Sequence, residues 1–196
     1  MNKKHLAAYV AVAALFGVLG AVVAINKKQA PAPGSAVVAG AATTLPAAAA
    51  TSPLEAAVTN LYAQSLNDLQ GAPQRLAQWK GKPLLVNFWA TWCGPCVQEM
   101  PELMHLAAEE NGKRFNVIGI GIDSPTNMSE FAAKLKITYP LYVAGMGGTE
   151  LSRELGNKQG GLPYTVLIGA DGKVLKTYTG KLKFDELRAD LAQLQG

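Results

Sequence analysis

An apolar run leads directly into a pair of cysteines near the middle of the chain. Residues 84–90 read Leu-Leu-Val-Asn-Phe-Trp-Ala, with Asn87 as their single polar member. Continuous apolar residues are typical of a strand that is covered on both faces. The only two cysteines of the chain, Cys93 and Cys96, follow at once and precede a segment of helical periodicity. We therefore predict that both thiols lie at the strand-to-helix turn of a βα unit.

The Cys-Gly-Pro-Cys spacing favours thiol–disulfide exchange. Two intervening residues place both sulfurs on one helical turn, so that one thiol can attack a disulfide and the other can resolve the mixed disulfide. At a helix start, unpaired backbone N–H groups and the helix dipole stabilise a thiolate, which makes Cys93 the nucleophile and Cys96 the resolving thiol. Pro95 suits the first helical turn, where its missing N–H is not needed. Together with Gly94, it tunes how strongly the oxidised and reduced forms differ.

A metal site is a weaker interpretation of the two cysteines. Structural zinc usually takes four protein ligands, whereas this chain has no second cysteine pair and only two histidines, His5 and His105. His105 lies nine residues after Cys96, which is about half a turn away around an ideal helix. We predict no metal and no cofactor beyond a redox-active disulfide, with a copper site shared between two molecules as an alternative.

The N-terminus carries an uncharged apolar segment at residues 6–25, with two lysines on each side. About 20 apolar residues is the length that a helix needs to cross a bilayer. A cleaved signal peptide has a shorter core of about 7–15 residues, followed closely by a small-residue cleavage site. We predict a transmembrane anchor over residues 1–28, with a signal peptide as the alternative. The short N-terminal tail is the end more easily left in the cytoplasm, so we place the rest of the chain in the periplasm.

Composition divides the remainder of the chain into a linker and a domain. Residues 29–53 are rich in Ala, Pro, Gly and Thr and carry no charge, which is typical of a flexible tether. Residues 54–196 are long enough to bury one hydrophobic core. Of the 18 basic residues, four lie at positions 3, 4, 27 and 28, and the other 14 match the 14 acidic residues in number. A domain with no net charge argues against a nucleic-acid partner.

The predicted elements of the domain alternate between strand and helix. Helices are expected at residues 54–64, 93–110, 127–136, 149–155 and 184–194, with one helical turn at 76–79. Strands are expected at residues 84–90, 115–122, 141–143, 165–168 and 174–179, and a short edge strand that runs into a turn at 65–71. The last two strands are separated by Ala-Asp-Gly-Lys, which favours a tight hairpin turn. This order predicts an α/β fold with a central mixed sheet flanked by helices.

Several motifs resemble one protein family. Residues 88–96, read with the preceding strand and the following helix, resemble the active-site segment of the thioredoxin superfamily. Glu-Met-Pro-Glu-Leu at 99–103, Gly-Ile-Gly-Ile-Asp at 119–123 and Gly-Leu-Pro-Tyr-Thr-Val-Leu-Ile at 161–168 are similar to the membrane-anchored TlpA/ResA-like thiol–disulfide oxidoreductases. The resemblance covers about residues 70–195. It implies a thioredoxin-like fold and an enzyme that reduces protein disulfides, for example in cytochrome c maturation or copper-site assembly. It also implies a transmembrane electron donor of the thiol–disulfide interchange type.

The resemblance also assigns roles around the cysteines. It implies a cis peptide between Leu162 and Pro163 that faces the dithiol and presents backbone atoms to an extended substrate peptide, with an ordinary trans proline at the start of a strand as the alternative. It further implies that Trp92 shields the nucleophile and offers an apolar contact to the substrate, with a core aromatic as the alternative.

The chain departs from the family in its acidic residues. Ordinary thioredoxins carry a buried Asp on the strand before the motif, where this chain has Asn87, and some relatives place an acid at the position of Gly94. Glu99, one helical turn beyond Cys96, is the nearest candidate to move the proton of that thiol, with a purely structural acid as the alternative. Asp123, at a strand end, is expected to cap the approach to a helix.

Two other functions stay open from the sequence. The direction of exchange depends on the reduction potential, so a disulfide oxidase or isomerase is an alternative to a reductase. The second alternative is a copper-binding chaperone with a thioredoxin-like body. Copper-delivering relatives, however, have a wider cysteine spacing and a distant His on the domain, and this chain has neither.

Overall fold

The computed structural model describes residues 52–194, which form five α-helices and seven strands. The helices are α1 (Pro53–Ala63), α2 (Gly94–Glu110), α3 (Pro125–Leu135), α4 (Gly147–Glu154) and α5 (Phe184–Ala192), and a 3₁₀ turn covers Leu76–Trp79. The strands are β1 (Ser65–Asp68), β2 (Pro73–Arg75), β3 (Leu84–Trp89), β4 (Asn116–Gly121), β5 (Leu141–Val143), β6 (Tyr164–Ile168) and β7 (Val174–Thr179).

The seven strands form one mixed sheet in the order β2-β1-β5-β4-β3-β6-β7. The central strands β5, β4 and β3 are parallel to one another, whereas β6 runs antiparallel to β3 and β7 antiparallel to β6. The predicted mixed sheet flanked by helices is therefore confirmed. Because the carboxyl ends of parallel strands meet at one edge, the residues that follow β3, β4 and β5 lie together there, next to the start of β6.

Two hydrophobic layers cover the faces of the sheet. One layer packs α2, α3 and α5 against the face that carries Leu85 and Trp89. The other packs α1 and α4 against the face that carries Leu84, Val86 and Phe88. All six residues of β3 are buried, as the apolar run predicts, and each such leucine contributes about 1.5–3 kcal/mol to folding. The strand that precedes the cysteines is thus held rigidly from both sides.

Residues 65–71 form a strand that runs into a turn, as predicted, but this strand is not at the edge of the sheet. The strand ends at Asp68, and the chain returns as β2, which pairs antiparallel with β1. Asp68 Oδ1 accepts hydrogen bonds from the backbone N–H groups of Gln70 and Ala72, each at 2.9 Å. Gly71 takes a φ of +82°, a left-handed conformation that favours glycine. The Asp68 side chain therefore stabilises the turn of the hairpin. No alternation of apolar residues marks β2 in the sequence.

The predicted anchor and nearly all of the predicted linker lie outside the described residues. Between residues 52 and 194, the structure has no helix long and apolar enough to cross a membrane. Helix α1 begins immediately after Ser52, which forms a capping box with Glu55: its Oγ accepts from the N–H of Glu55, and the carboxylate of Glu55 accepts from the N–H of Ser52.

Candidate active site

Cys93 and Cys96 form a disulfide at the start of α2, with an S–S distance of 2.01 Å. Cys93 is the N-cap residue of the helix, and its Sγ accepts a hydrogen bond from the backbone N–H of Cys96 at 3.3 Å. Pro95 lies in the first helical turn, as predicted. The structure thus places both cysteines at the strand-to-helix turn that the sequence predicts, where free N–H groups can stabilise a thiolate.

The two sulfurs differ in how far they can be reached. Cys93 is 6% exposed, whereas Cys96 is completely buried. A disulfide of another molecule can therefore contact Cys93 but not Cys96, which agrees with the predicted roles of nucleophile and resolving thiol. Trp92 is 69% exposed, so its indole is available to a partner and is not a core aromatic.

Leu162 and Pro163 are joined by a cis peptide immediately before β6, as the resemblance implies. Because β6 runs antiparallel to β3 and Tyr164 pairs with Phe88, this peptide lies at the edge of the sheet where β3 ends and the cysteine turn begins. Pro163 is buried, and its carbonyl accepts from the N–H of Gly180 at 2.9 Å. Leu162 is half-buried, and its own backbone N–H and carbonyl have no partner within residues 52–194. Leu162 is therefore the position at which an extended peptide could pair.

Glu99 lies in the interior behind the disulfide and has no exposed surface. Its Oε1 accepts a hydrogen bond from Asn87 Nδ2 at 2.7 Å, and its Oε2 accepts from the backbone N–H of Leu182 at 2.9 Å. Burial raises the pKa of Glu99, while those two hydrogen bonds and the charge of Lys181 act in the opposite direction. A buried carboxyl with a raised pKa, one turn from Cys96, is a stronger base than an ordinary carboxylate and is placed to exchange a proton there.

Asn87 joins Glu99 to the rest of the sheet. Its Nδ2 also donates to Thr165 Oγ1 at 3.0 Å, and Thr165 is its partner in the β3–β6 register. Tyr139, which precedes β5, lies close enough to Glu99 to be affected by its charge. The pKa of Tyr139 is raised by burial and by the negative charge of Glu99. Thr165, Tyr139 and the N–H of Leu182 were not identified from the sequence. The register opposite Asn87 could have indicated Thr165, but nothing local marks the other two.

Asp123 fixes the turn that leads into the cysteines. Its Oδ2 accepts from both the backbone N–H of Thr91, at 3.1 Å, and the hydroxyl of Thr91. Its Oδ1 accepts from the N–H of Ser124 at 2.7 Å and from Asn127 Nδ2 at 2.8 Å. Partial burial acts to raise the pKa of Asp123, but these hydrogen bonds outweigh it and lower the pKa. The expectation that Asp123 caps the next helix is corrected, because the N-cap of α3 is Ser124, and Asp123 instead ties the ends of β3 and β4 together.

Metal binding finds no supporting geometry in the described part of the chain. Residues 52–194 contain no group of three His, Cys, Asp or Glu side chains arranged to hold an ion. His105 is exposed on α2 beyond the disulfide turn. The absence of a metal or other cofactor stays a prediction.

Comparison with known proteins gives one consistent result. The sequence model of the family described as Redoxin matches residues 41–191. The chain is 30% identical over 131 residues to the thiol-disulfide oxidoreductase ResA of Geobacillus thermodenitrificans, covering 66% of this chain and 73% of that protein.

Two solved structures are similar to the chain. One is a thiol:disulfide interchange protein DsbE from Chlorobium tepidum, with a TM-score of 0.59, 27% identity and coverage of 66% of this chain and 90% of that chain. The other is a secreted Mycobacterium tuberculosis disulfide oxidoreductase homologous to E. coli DsbE. Its TM-score is 0.58 and its identity 25%, over 69% of this chain and 98% of that chain.

Proposed function

Because this chain belongs to the Redoxin family and is a thioredoxin-like thiol–disulfide oxidoreductase, we propose that it reduces disulfides of other proteins outside the cytoplasm. The observation that carries the proposal is the asymmetry of the disulfide: Cys93 can be reached from outside, whereas Cys96 is sealed in the interior. An enzyme that must first form and then resolve a mixed disulfide needs this difference between its two thiols.

The exchange begins with the reduced enzyme. The Cys93 thiolate, stabilised by the N–H of Cys96 and by the start of α2, attacks one sulfur of the substrate disulfide. The new Cys93–substrate bond forms as the substrate S–S bond breaks, and the first substrate sulfur leaves as a thiolate that takes up a proton. Cys96 then loses its proton and attacks Cys93 Sγ, which releases the second substrate sulfur. Two electrons pass to the substrate, and the enzyme is left with the Cys93–Cys96 disulfide.

Glu99 is our candidate to receive the proton of Cys96. Glu99 lies one helical turn beyond Cys96, and both side chains are fully buried. A carboxylate whose pKa is raised is a better base than an ordinary one. Asn87 cannot take this part, because its amide does not titrate.

The substrate is proposed to lie across the edge of the sheet that carries the disulfide. The unpaired N–H and carbonyl of Leu162 can form main-chain hydrogen bonds with an extended peptide, in the manner of an added strand. The exposed indole of Trp92 offers an apolar surface on the cysteine side.

The location and the clients are proposed from the sequence. The apolar segment at residues 6–25 is long enough to hold the chain in the inner membrane, with the catalytic domain in the periplasm. An oxidising compartment requires an electron source, so we propose a transmembrane donor of the thiol–disulfide interchange type. The clients would be proteins such as apocytochrome c or those with copper sites, whose cysteines must be reduced before assembly.

Disulfide reduction and its direction can be tested together. Reduction of insulin should be lost with Cys93→Ser, whereas Cys96→Ser should accumulate mixed disulfides through Cys93. Glu102→Gln, a change at a partly exposed position on the same helix, serves as the control and should retain full activity. A reduction potential near about −270 mV supports a reductase, and one near about −120 mV supports an oxidase. Insulin reduction that survives Cys93→Ser would refute the assignment of the nucleophile.

A further inference from the structure

Asn87, Glu99 and Thr165 form a small buried polar layer behind the disulfide, and the unpaired polar groups of the interior lie in it or next to it. Within residues 52–194, three buried side-chain atoms have no hydrogen-bond partner: Asn87 Oδ1, Trp89 Nε1 and the Tyr139 hydroxyl. Asn87 and Trp89 are two residues apart on β3 and so face the same side of the sheet. Gly119 pairs with Asn87 in the β3–β4 register, and a Cβ on it would lie 3.1 Å from Trp89 Nε1 and 3.3 Å from Tyr139 Cε2. Gly119 therefore lies against both the Trp89 indole N–H and the Tyr139 ring, on the β4 side of Asn87.

Buried polar groups in proteins are nearly always paired, so unpaired atoms around Asn87 need an explanation. The Asn87 amide can provide one. Both protons of its Nδ2 are in use, toward Glu99 and Thr165, while its Oδ1 has no donor. A rotation of the amide by 180° exchanges its oxygen and nitrogen with almost no change in shape.

We propose that the Asn87 amide reverses its orientation with the protonation state of Glu99. When Glu99 is ionised, Nδ2 of Asn87 donates to the carboxylate, as in the orientation seen here. When Glu99 is protonated, its O–H becomes a donor, and Asn87 turns its Oδ1 to accept it. The Thr165 hydroxyl, which can donate as well as accept, then donates to the same oxygen. Nδ2 turns toward the β4 side, where the Tyr139 hydroxyl oxygen is an acceptor.

This makes Asn87 a positioning residue for Glu99. An aspartate at position 87 would set a second negative charge within hydrogen-bond distance of the carboxylate, and an aliphatic side chain would leave the ionised form without a donor. An amide offers a donor and an acceptor with no charge. Glu99 can therefore gain or lose a proton without moving, whichever way the thiol exchange runs. The inference depends on the titration of Glu99 and not on its part in catalysis.

Few other ionisable groups act on Glu99. Lys181, in the loop after β7, carries the charge that favours the ionised form, and the neighbouring Leu182 contributes a backbone N–H. Tyr139 stays neutral over the usual pH range, because its pKa is raised. On α2 itself, Cys93 and Cys96 carry no proton while they are joined. A pH-dependent change at Asn87 in the oxidised protein therefore reports Glu99.

The test is a pH titration of the oxidised full-length protein in detergent micelles, with ¹⁵N-labelled asparagine and ¹³C-labelled glutamate. We expect the Nδ2 proton resonances of Asn87 to shift with the same midpoint as the Glu99 carboxyl carbon. At high pH these protons should show contacts to Thr165, and at low pH to the ring of Tyr139. The side chain of Asn157 is the internal control, since it is a buried amide with no carboxylate partner, and its resonances should stay constant. Asn87 resonances that stay constant while Glu99 titrates would overturn the proposal.

Two variants distinguish reversal of the Asn87 amide from a general effect of nearby polar groups on the pKa of Glu99. Glu99→Gln removes the titrating group, so the Asn87 resonances should no longer depend on pH. Tyr139→Phe keeps the packing of the ring but removes the acceptor of the reversed amide. The Glu99 midpoint should therefore fall by about 0.4 pH unit, which corresponds to the loss of a weak hydrogen bond. If the hydroxyl only makes the surroundings more polar, its removal raises the midpoint. An unchanged or raised midpoint in Tyr139→Phe overturns the proposal.

Discussion

The fold changes the acid–base chemistry of Glu99. Its ordinary pKa of 4.5 is raised, chiefly because the carboxyl is removed from water. The folded state then binds more protons than the unfolded state above that value. The stabilising contribution of Glu99 is therefore fully present below about pH 4.5 and is lost as the pH rises through the folded-state pKa.

A comparison of thermal stabilities can detect this linkage. The melting temperature of the wild-type protein, relative to that of Glu99→Gln, should fall as the pH rises from about 4 to about 8, because only the wild type must ionise a buried acid. Thermal unfolding followed by circular dichroism across that range measures the difference. Glu102→Gln, at a partly exposed position on the same helix, should show no such trend. A wild-type-to-Glu99→Gln difference that is constant with pH would contradict the linkage.

The sequence identifies some of these residues and not others for a physical reason. Cys93, Cys96 and Glu99 share one helix, so their spacing alone places them near one another. The N–H of Leu182 comes from a loop 83 residues away from Glu99 along the chain, and it is a backbone group that any residue could supply. Its position depends on how β7 and α5 pack, which no local pattern contains.

At the scale of elements, the carboxyl ends of β3 and β4 are joined by Asp123. Its hydrogen bonds to Thr91 hold the turn that presents Trp92 and Cys93. Asp123→Ala should therefore reduce stability by about 1–3 kcal/mol, the cost of leaving partly buried donors unpaired. Chemical denaturation at pH 7 measures this loss. Because the pKa of Asp123 is lowered, its stabilisation is present at neutral pH and lost as the pH falls through the folded-state pKa.

The control for this substitution is Asp185→Ala, an exposed acid in the first turn of α5. Its effect should stay within about 0.5 kcal/mol, as is usual at surface positions. Equal losses in the two variants would show that the link between β3 and β4 carries no stability.

The contact between β4 and the layer behind the disulfide can be tested at Gly119. A Cβ at this position would lie 2.5 Å from Leu141 Cδ2 and 3.1 Å from Trp89 Nε1, both closer than atoms normally approach. Gly119→Ala should therefore lower the free energy of unfolding by about 1–3 kcal/mol, because an overpacked core must shift. Gly147→Ala is the matched control, since nothing lies within 4 Å of its Cβ. A stability of Gly119→Ala equal to that of Gly147→Ala would show that this layer can rearrange freely.

Helices and strands could be predicted where neighbouring residues in the sequence determine them, and not where pairing with a distant segment does. β3 and α2 could be predicted because an apolar run and a cysteine motif mark them within one short stretch of the sequence. β2 could not be found in this way, because Pro73, Gln74 and Arg75 have no apolar pattern and become a strand only by pairing with β1. The start of α3 at Pro125, earlier than predicted, depends on a cap by Ser124, whose Oγ accepts from the N–H of Asn127 at 3.2 Å.

At the scale of the whole molecule, the positive charge and the catalytic domain belong to different parts of the chain. The net charge of +4 arises from the four lysines that flank the segment at residues 6–25, whereas the rest of the chain balances to zero. Electrostatic attraction to acidic partners is therefore weak, and docking of clients should depend on apolar and main-chain contacts near Trp92 and Leu162.

The proposed location of the catalytic domain outside the cytoplasm can be tested through the apolar segment at residues 6–25. An alkaline phosphatase fused to the C-terminus of the full chain should be active in a bacterial host, because that enzyme forms its disulfides only outside the cytoplasm. The fusion should stay with the membrane fraction after alkaline extraction, since an apolar helix of about 20 residues is not released by high pH. Replacing two leucines of the segment, Leu15→Arg and Leu19→Arg, places charges in the bilayer and should abolish both results. An active fusion recovered in the soluble fraction would mean that the segment is a cleaved signal peptide, and an inactive one would place the disulfide in the cytoplasm.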